Sequence, residues 1–132
     1  FYIGAQPCRP RDLGRHPLLI TGATGTLGQA FARLCHHRGL AHVVTDRKAM
    51  DITDAASIEA ALDRLQPWAI VNTAGFVRVP EAEHQPDDCF RINTTGPELL
   101  AAACRKRGIP FVTFSSDLVF DGKLGRPYLE PD

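Results

Sequence analysis

The sequence predicts an α/β fold, a doubly wound parallel sheet with helices on both faces, and three observations carry that expectation. Four short apolar runs alternate with helix-spaced apolar stripes. The first run, Leu18-Leu19-Ile20, enters a glycine-spaced turn from which an amphipathic pattern leaves. The second run stops at an acid, Asp46. Strand, glycine turn and helix in that order are what a phosphate-cradling site at a helix N-terminus requires.

The elements follow along the 132 residues. Residues 1–17 hold Pro7, Pro10, Pro17, Arg9, Arg11 and Arg15 without periodicity, and read as a linker or the tail of an upstream module. Residues 18–132 form the domain. Strand one is Pro17–Thr21. The turn after it offers Gly22, Thr24, Gly25, Thr26, Leu27 and Gly28 as nucleotide contacts. Gly22 permits a tight turn, Gly25 lets a pyrophosphate approach the backbone, and Gly28 lets the helix pack hard on the strand. A glycine-rich turn without a ligand would look similar, but the flanks favour nucleotide binding. The first helix carries Leu27, Ala30, Phe31, Leu34 and Cys35 on one expected buried face and ends at Gly39.

Strand two is Ala41–Thr45. Asp54 is a plausible N-cap for a helix bearing Ile58, Ala61, Leu62 and Leu65. Pro67 separates that helix from strand three, Trp68–Thr73. A polar stretch leads to a helix from about Pro86 to Lys106, closed by Gly108, and strand four is Pro110–Ser115. The expected architecture is a Rossmann-type sheet with right-handed crossovers and strand order 3-2-1-4. Such sheets usually continue past a fourth strand, so the chain reads as truncated there. An opening Phe1 and a single methionine, Met50, also suggest a piece of something longer.

Composition sets the class. Apolar residues make up 44% and charged residues 23%, as in an ordinary globular domain large enough to bury roughly two thirds of its unfolded surface. Fifteen bases balance fifteen acids, which argues against nucleic acid or an acidic membrane surface as a partner. No apolar run is long enough for a membrane span, and no signal peptide is present. Cys8, Cys35, Cys89 and Cys104 show no C-x-x-C pair and read as reduced thiols of a cytoplasmic protein. Cys35-His36-His37 looks metal-like, but helix neighbours diverge, and no metal site is expected.

Asp46 lies 24 positions beyond Gly22, where a carboxylate can accept both ribose hydroxyls of an adenosine and repel a 2′-phosphate. That favours NAD(H). Arg47 and Lys48 follow, and either could swing onto a 2′-phosphate, which keeps NADP(H) open. A surface acid beside two surface bases is the plainer alternative. Asp51-Ile52 fits an adenine contact or an ordinary cap before a helix, with nothing to separate the two. Asn72-Thr73-Ala74-Gly75 puts small residues at a strand's C-terminal end, leaving room for a cofactor or for tight backbone packing. Pro97 lacks an N–H, so the carbonyl of Asn93 loses its helical partner. The result is either a kink that frees this carbonyl or a break at Thr95-Gly96.

Thr21-Gly22-Ala23-Thr24-Gly25-Thr26-Leu27-Gly28 resembles the G-x-x-G-x-x-G motif of extended short-chain dehydrogenases/reductases. Phe114-Ser115-Ser116-Asp117-Leu118-Val119-Phe120-Asp121-Gly122 resembles the S-T-D-Y-V-F-D-G signature of the dTDP-4-dehydrorhamnose reductase family. Val79-Pro80-Glu81-Ala82-Glu83 and Tyr128-Leu129-Glu130-Pro131-Asp132 resemble that family's V-D-x-A-E and Y-x-E-x-D. The resemblance implies a nucleotide-sugar reductase using NAD(P)H. It places Ser116 as the catalytic hydroxyl on the keto oxygen, Ser115 beside the cofactor, and Asn93 at the family's asparagine. A strand-end serine capping the next turn is the alternative for Ser116.

Three departures stand out: Pro80 for aspartate, Leu118 for tyrosine, and no Tyr-x-x-x-Lys, because Gln6 and Asp132 stand four residues after Tyr2 and Tyr128. The chain is therefore expected to be the NAD(P)-binding part of a 4-keto-deoxysugar nucleotide reductase, inactive alone. A fused upstream domain and self-association through an uncovered strand four are further expectations. The competing expectation is a non-catalytic NAD(P)-binding module of the same fold, similar to the regulatory subunit of methionine adenosyltransferase.

Overall fold

The computed structural model describes residues 15–130. The rest of the expected linker, Cys8, and the last two residues of the Tyr128 motif lie outside the described residues, as does the side chain of Leu118. Four strands, β1 (Leu18–Thr21), β2 (His42–Thr45), β3 (Ala69–Asn72) and β4 (Phe111–Thr113), form one parallel sheet. The helices are α1 (Thr26–His37), α2 (Ala55–Leu65), α3 (Val79–His84), α4 (Pro86–Phe90) and α5 (Gly96–Arg107). The α/β class is as the sequence predicts.

The strand order is different. It is β2-β1-β3-β4 rather than 3-2-1-4, so β3 lies across β1 from β2. The expected third strand is β3, and it pairs with β1, Leu18 opposite Ala69 and Ile20 opposite Val71, instead of lying outside β2. After β2 the chain turns, with Asp46 Oδ1 accepting from Ala49 N at 2.9 Å and the Asp46 carbonyl from Met50 N at 3.0 Å. It then enters α2, whose Ile58, Ala61 and Leu62 pack with Leu19 and Ile70, and so reaches the other side of β1.

Period-two alternation in the central strands divides the core between the two faces. Leu19 and Ile70 pack with Met50, Ile52, Ile58, Ala61, Leu62, Leu100, Ala103 and Cys104 beneath α2 and α5. Leu18, Ile20, Ala69 and Val71 point the other way and meet Cys35, with Phe31, Val44 and Trp68 packed against them. Only α1 covers this second face among the described residues. The expected α1 stripe is therefore partly corrected: Cys35 is buried, but Leu27 and Leu34 on its flanks are 40% and 47% exposed. Val112, which shares Val71's face by register, is half exposed because α1 does not reach across β4.

The helix ends follow from particular residues. Asp54 caps α2 by accepting from Ala56 N at 2.9 Å. α1 closes with Leu40 N donating to Cys35 O at 2.9 Å, and α5 closes in the same way with Ile109 N on Cys104 O. α3 falls in the stretch read only as polar: Pro80 occupies its first turn, where a missing N–H costs nothing. The long helix expected from Pro86 is continuous but not uniformly α. A π-helical turn spans Arg91–Thr95, with Gly96 N bonded to Arg91 O five residues back. Thr95 and Gly96 keep helical dihedrals, so the chain widens ahead of Pro97 and does not break.

Arg107 ties α5 to α2. It donates to Asp63 Oδ1 at 2.7 Å and grips Glu59, which also accepts from Lys106 Nζ at 3.3 Å. Arg107's hydrogen bond holds the Glu59 carboxyl below the usual glutamate range, against a smaller opposing effect of burial. Burial pushes the Cys104 thiol up to about 12, so it behaves as a core residue.

Two outcomes test this packing. Leu100→Ala should lower the unfolding free energy in urea by about 2–5 kcal/mol, because Leu100 is fully buried between the sheet and α2. Glu59's folded pKa is depressed, so its contribution is present above the unfolded value and is lost as pH falls through the folded one. The melting-temperature gap between the wild type and Arg107→Ala should therefore be present at pH 7 and close below the usual glutamate range.

Candidate functional site

A cavity of about 220 Å³ opens at the C-terminal ends of the strands, between the glycine turn and the segment after β2. Open α/β sheets bind ligands at this edge. Its walls include Gly22, Thr24 and Gly25 from the turn, Asp46, Arg47, Asp51 and Ile52 from the second segment, and Thr73, Ala74 and Gly75 beyond β3. These ten come from the sequence-predicted set. The structure adds Thr21, Ala23, Thr45, Met50, Thr53 and Ile92.

The glycines differ in what requires them. Gly22 has φ +79°, and a Cβ there would meet Thr73 Oγ1 at 2.8 Å and Ala74 N at 2.9 Å. A Cβ on Gly28 would lie 2.3 Å from the Gly22 carbonyl oxygen, a main-chain atom that cannot step aside. Gly22 is fixed by the segment after β3, and Gly28 by the close packing of α1 on the glycine turn. Gly25 is different. A Cβ there would touch only the Gly22 carbonyl, at 3.4 Å, yet Gly25 is exposed and lines the cavity. The fold leaves room for a side chain at Gly25, and a group occupying the cavity would not.

α1 begins at this wall with no side-chain cap and no acid in its first turn. Its first N–H groups and the positive end of its dipole are therefore presented without a neutralising carboxylate on the helix. Thr26 and Leu27 belong to this turn but do not line the cavity, and neither does Gly28.

A buried polar braid holds the opposite wall. Thr21 Oγ1 donates to Asn72 Oδ1 at 2.6 Å and accepts from Thr73 N and Ala74 N at 3.1 and 3.2 Å. Thr73 Oγ1 returns to the Thr21 carbonyl at 2.5 Å, and Asn72 Nδ2 donates to Thr113 Oγ1 at 3.0 Å. Asn72 is 2% exposed and does not line the cavity. Its side chain joins β1, β3 and β4.

The acids near β2 have several partners. Asp46 Oδ1 caps the turn through Ala49 N, while its Oδ2 has no partner among the described residues. Asp51 Oδ1 accepts from Thr53 N at 2.9 Å and Thr53 Oγ1 at 2.7 Å, and Oδ2 accepts from Arg47 Nε at 3.1 Å. Burial raises the Asp51 pKa, but these hydrogen bonds and the Arg47 charge outweigh it and hold the carboxyl below its ordinary value.

The π-helical turn touches both ends of the site. Ile92 lines the cavity, and Arg91 donates to Thr53 Oγ1 at 3.1 Å and to Asp88 Oδ1 at 2.7 Å. Asn93 lies outside the cavity wall. Its amide clasps the Phe76 backbone, accepting from N at 2.7 Å and donating to O at 2.9 Å. Ser115 and Ser116 follow β4 and are exposed, away from the cavity lining. The Ser116 side chain does not cap the 3₁₀ turn Asp117–Val119 that it precedes. Phe120 stacks on Tyr128 at 4.2 Å, and Tyr128 donates to Asp121 at 2.9 Å, so two motifs separated in sequence meet. Cys35 is buried while His36 and His37 are exposed. No group among the described residues could hold a metal ion, and no described helix is long and apolar enough to cross a membrane.

Comparison with known proteins follows the same lines. Residues 16–132 match the family model described as the RmlD substrate binding domain. The chain is 41% identical over 112 residues to a dTDP-4-dehydrorhamnose reductase of Streptomyces griseus, covering 85% of this chain and 37% of that one. Among solved structures, a dTDP-4-dehydrorhamnose reductase ortholog of Clostridium acetobutylicum superposes with a TM-score of 0.81 at 34% identity, covering 88% of this chain and 41% of that one. A second, from Bacillus anthracis in complex with NADP, gives 0.76 at 29% identity, with 85% and 39% covered. The chain spans about two fifths of the length of these relatives.

The glycine geometry gives a paired expectation. Gly28→Ala should destabilise the domain by about 1–3 kcal/mol or prevent folding, since overpacking here strikes main chain. Gly25→Ala should melt close to wild type by circular dichroism. A melting temperature for Gly25→Ala as low as that of Gly28→Ala would contradict the distinction.

Proposed function

We infer the function from one premise: the chain belongs to the RmlD substrate binding domain family. On that premise we propose that it is the dinucleotide-binding part of a reductase acting on a 4-keto-deoxysugar nucleotide of the dTDP-4-dehydrorhamnose type. The observation that carries this reading is Gly25, a glycine that lines the cavity and that the packing does not require.

The residues fit the adenosine diphosphate half of NAD(H). The α1 N-terminus would hold the pyrophosphate over Gly25. Asp46, with Oδ2 uncommitted among the described residues, would accept the ribose hydroxyls. Met50 and Ile52 supply apolar wall for the adenine. The cavity of about 220 Å³ is below the roughly 300–1,000 Å³ that encloses a whole drug-sized ligand, which suits half a dinucleotide. When bound, the reduced nicotinamide supplies the hydride for the sugar keto carbon.

Ser116 would donate its hydroxyl to the keto oxygen, from the loop after β4. Thr113 of that strand is braided to Asn72 beside the cavity wall. Asn93 acts by clasping Phe76, next to the Thr73–Gly75 wall. Tyr-x-x-x-Lys, which would supply a proton donor and a lysine for the nicotinamide ribose, does not occur in the 132 residues. Turnover by these residues alone is therefore not expected. NAD(H) is favoured over NADP(H) because Asp46 faces a 2′-phosphate with like charge.

Titration of the chain with NADH, followed by nicotinamide fluorescence, should show weak saturable binding that Gly25→Ala weakens at least tenfold. The absence of binding, or equal binding by the variant, would overturn the assignment of the cavity.

A further inference from the structure

NADH and NADPH differ by one phosphate on the adenosine ribose, so discrimination between them rests on the charges beside that ribose. The cavity wall carries three ionisable side chains: Asp46, Arg47 and Asp51. Arg47 is the one cation among them, and its guanidinium is already paired with Asp51, Nε to Oδ2 at 3.1 Å. The pairing is uneven in mobility. Arg47's side chain is 63% exposed, whereas Asp51's is 28% exposed and fixed from behind.

Asp51 Oδ1 takes both the amide and the hydroxyl of Thr53, Ser57 Oγ accepts from Asp51 N at 3.0 Å, and Arg91 braces Thr53 Oγ1 from the π-helical turn. The carboxylate is thus a stationary partner, and the guanidinium is the part that can move. A 2′-phosphate arriving beside Asp46 would compete with Asp51 for the Arg47 guanidinium, whose Nε is already engaged, while facing both carboxylates. A ribose hydroxyl faces no such competition. Lys48, the other nearby base, is exposed and does not line the cavity.

We propose that Asp51 sets the preference between the two dinucleotides by competing with the 2′-phosphate for Arg47, a specificity-determining role distinct from contact with the adenine. The proposal rests on the dinucleotide reading of the cavity and deepens it. It also explains how a chain can keep an arginine directly after Asp46 and still disfavour the phosphorylated cofactor.

The test is a cycle of Asp51→Asn and Arg47→Ala in the 132-residue chain, measured by calorimetry with ADP-ribose and 2′-phospho-ADP-ribose. These probes carry the adenosine half alone and need no nicotinamide site. The amide introduced by Asp51→Asn keeps an oxygen for Thr53, and circular dichroism reports folding of every variant. Asp51→Asn should shift the affinity ratio toward the 2′-phosphate by about tenfold, the scale of one charge-assisted hydrogen bond. In the Arg47→Ala background the same substitution should shift it by less than about threefold, because simple removal of a negative charge is then all that remains. An unchanged ratio in Asp51→Asn, or an equal shift in both backgrounds, would overturn the competition while leaving the dinucleotide reading intact. Failure of both probes to bind every folded variant would overturn that reading and this inference with it. Should Asp51→Asn not fold, Asp51→Ser in the same cycle carries the same expectations.

Discussion

The hydroxyl of Thr21 is the interaction on which the site depends. It is 1% exposed at the end of β1, where it satisfies an Asn72 side-chain acceptor and two backbone donors beyond β3. Each of these groups would be costly to bury unpaired. Because they are paired, the chain after β3 is held close enough that Thr73 and Ala74 exclude a side chain at Gly22, while the Gly22 carbonyl excludes one at Gly28. The shape of the glycine turn is thus a consequence of how two strand ends are joined. The packing forces two of the glycines, and a ligand accounts best for the third.

The second organising feature is the widened helix ahead of Pro97. A residue without an N–H cannot complete an α-helical ladder, and the helix accommodates it with a π turn. Three successive residues of that turn reach different parts of the site. Arg91 braces the Asp51–Thr53 corner, Ile92 forms cavity wall, and Asn93 holds the loop after β3. Gly96 lets Ile52 pack directly against the helix backbone. The Asp51–Thr53 corner and the strand-end wall are therefore fastened to one helical turn.

Much of this was legible in the sequence because it rests on local pattern. The glycine turn, the Asp54 cap, the apolar runs of β1 and β3, and the acid after β2 follow from spacing and residue type. What was not legible rests on relations between distant segments. The strand order depended on whether the third strand pairs with β1 or with β2, which spacing along the chain does not reveal. Met50 and Ile92 line the cavity, but apolar residues of wall and core look alike in one dimension. Asn72 read with Thr73–Gly75 as a small-residue strand end that leaves room for a cofactor or for tight packing; its side chain is buried as a cross-strand tie. Asp51 offered a cap or an adenine contact. The structure shows a turn anchor that also faces the cavity, so the two readings were never exclusive.

The central claim is that the cavity at the glycine turn receives the adenosine diphosphate half of a dinucleotide. An amide-resolved NMR titration of the isotopically labelled chain with adenosine 5′-diphosphate tests it most directly. The account predicts shifts concentrated at Thr24, Gly25 and Thr26 and along residues 46–53, with the Glu59–Arg107 contact between α2 and α5 undisturbed. Saturating nucleotide that leaves the glycine turn unshifted, or that perturbs a different face of the sheet, would contradict it.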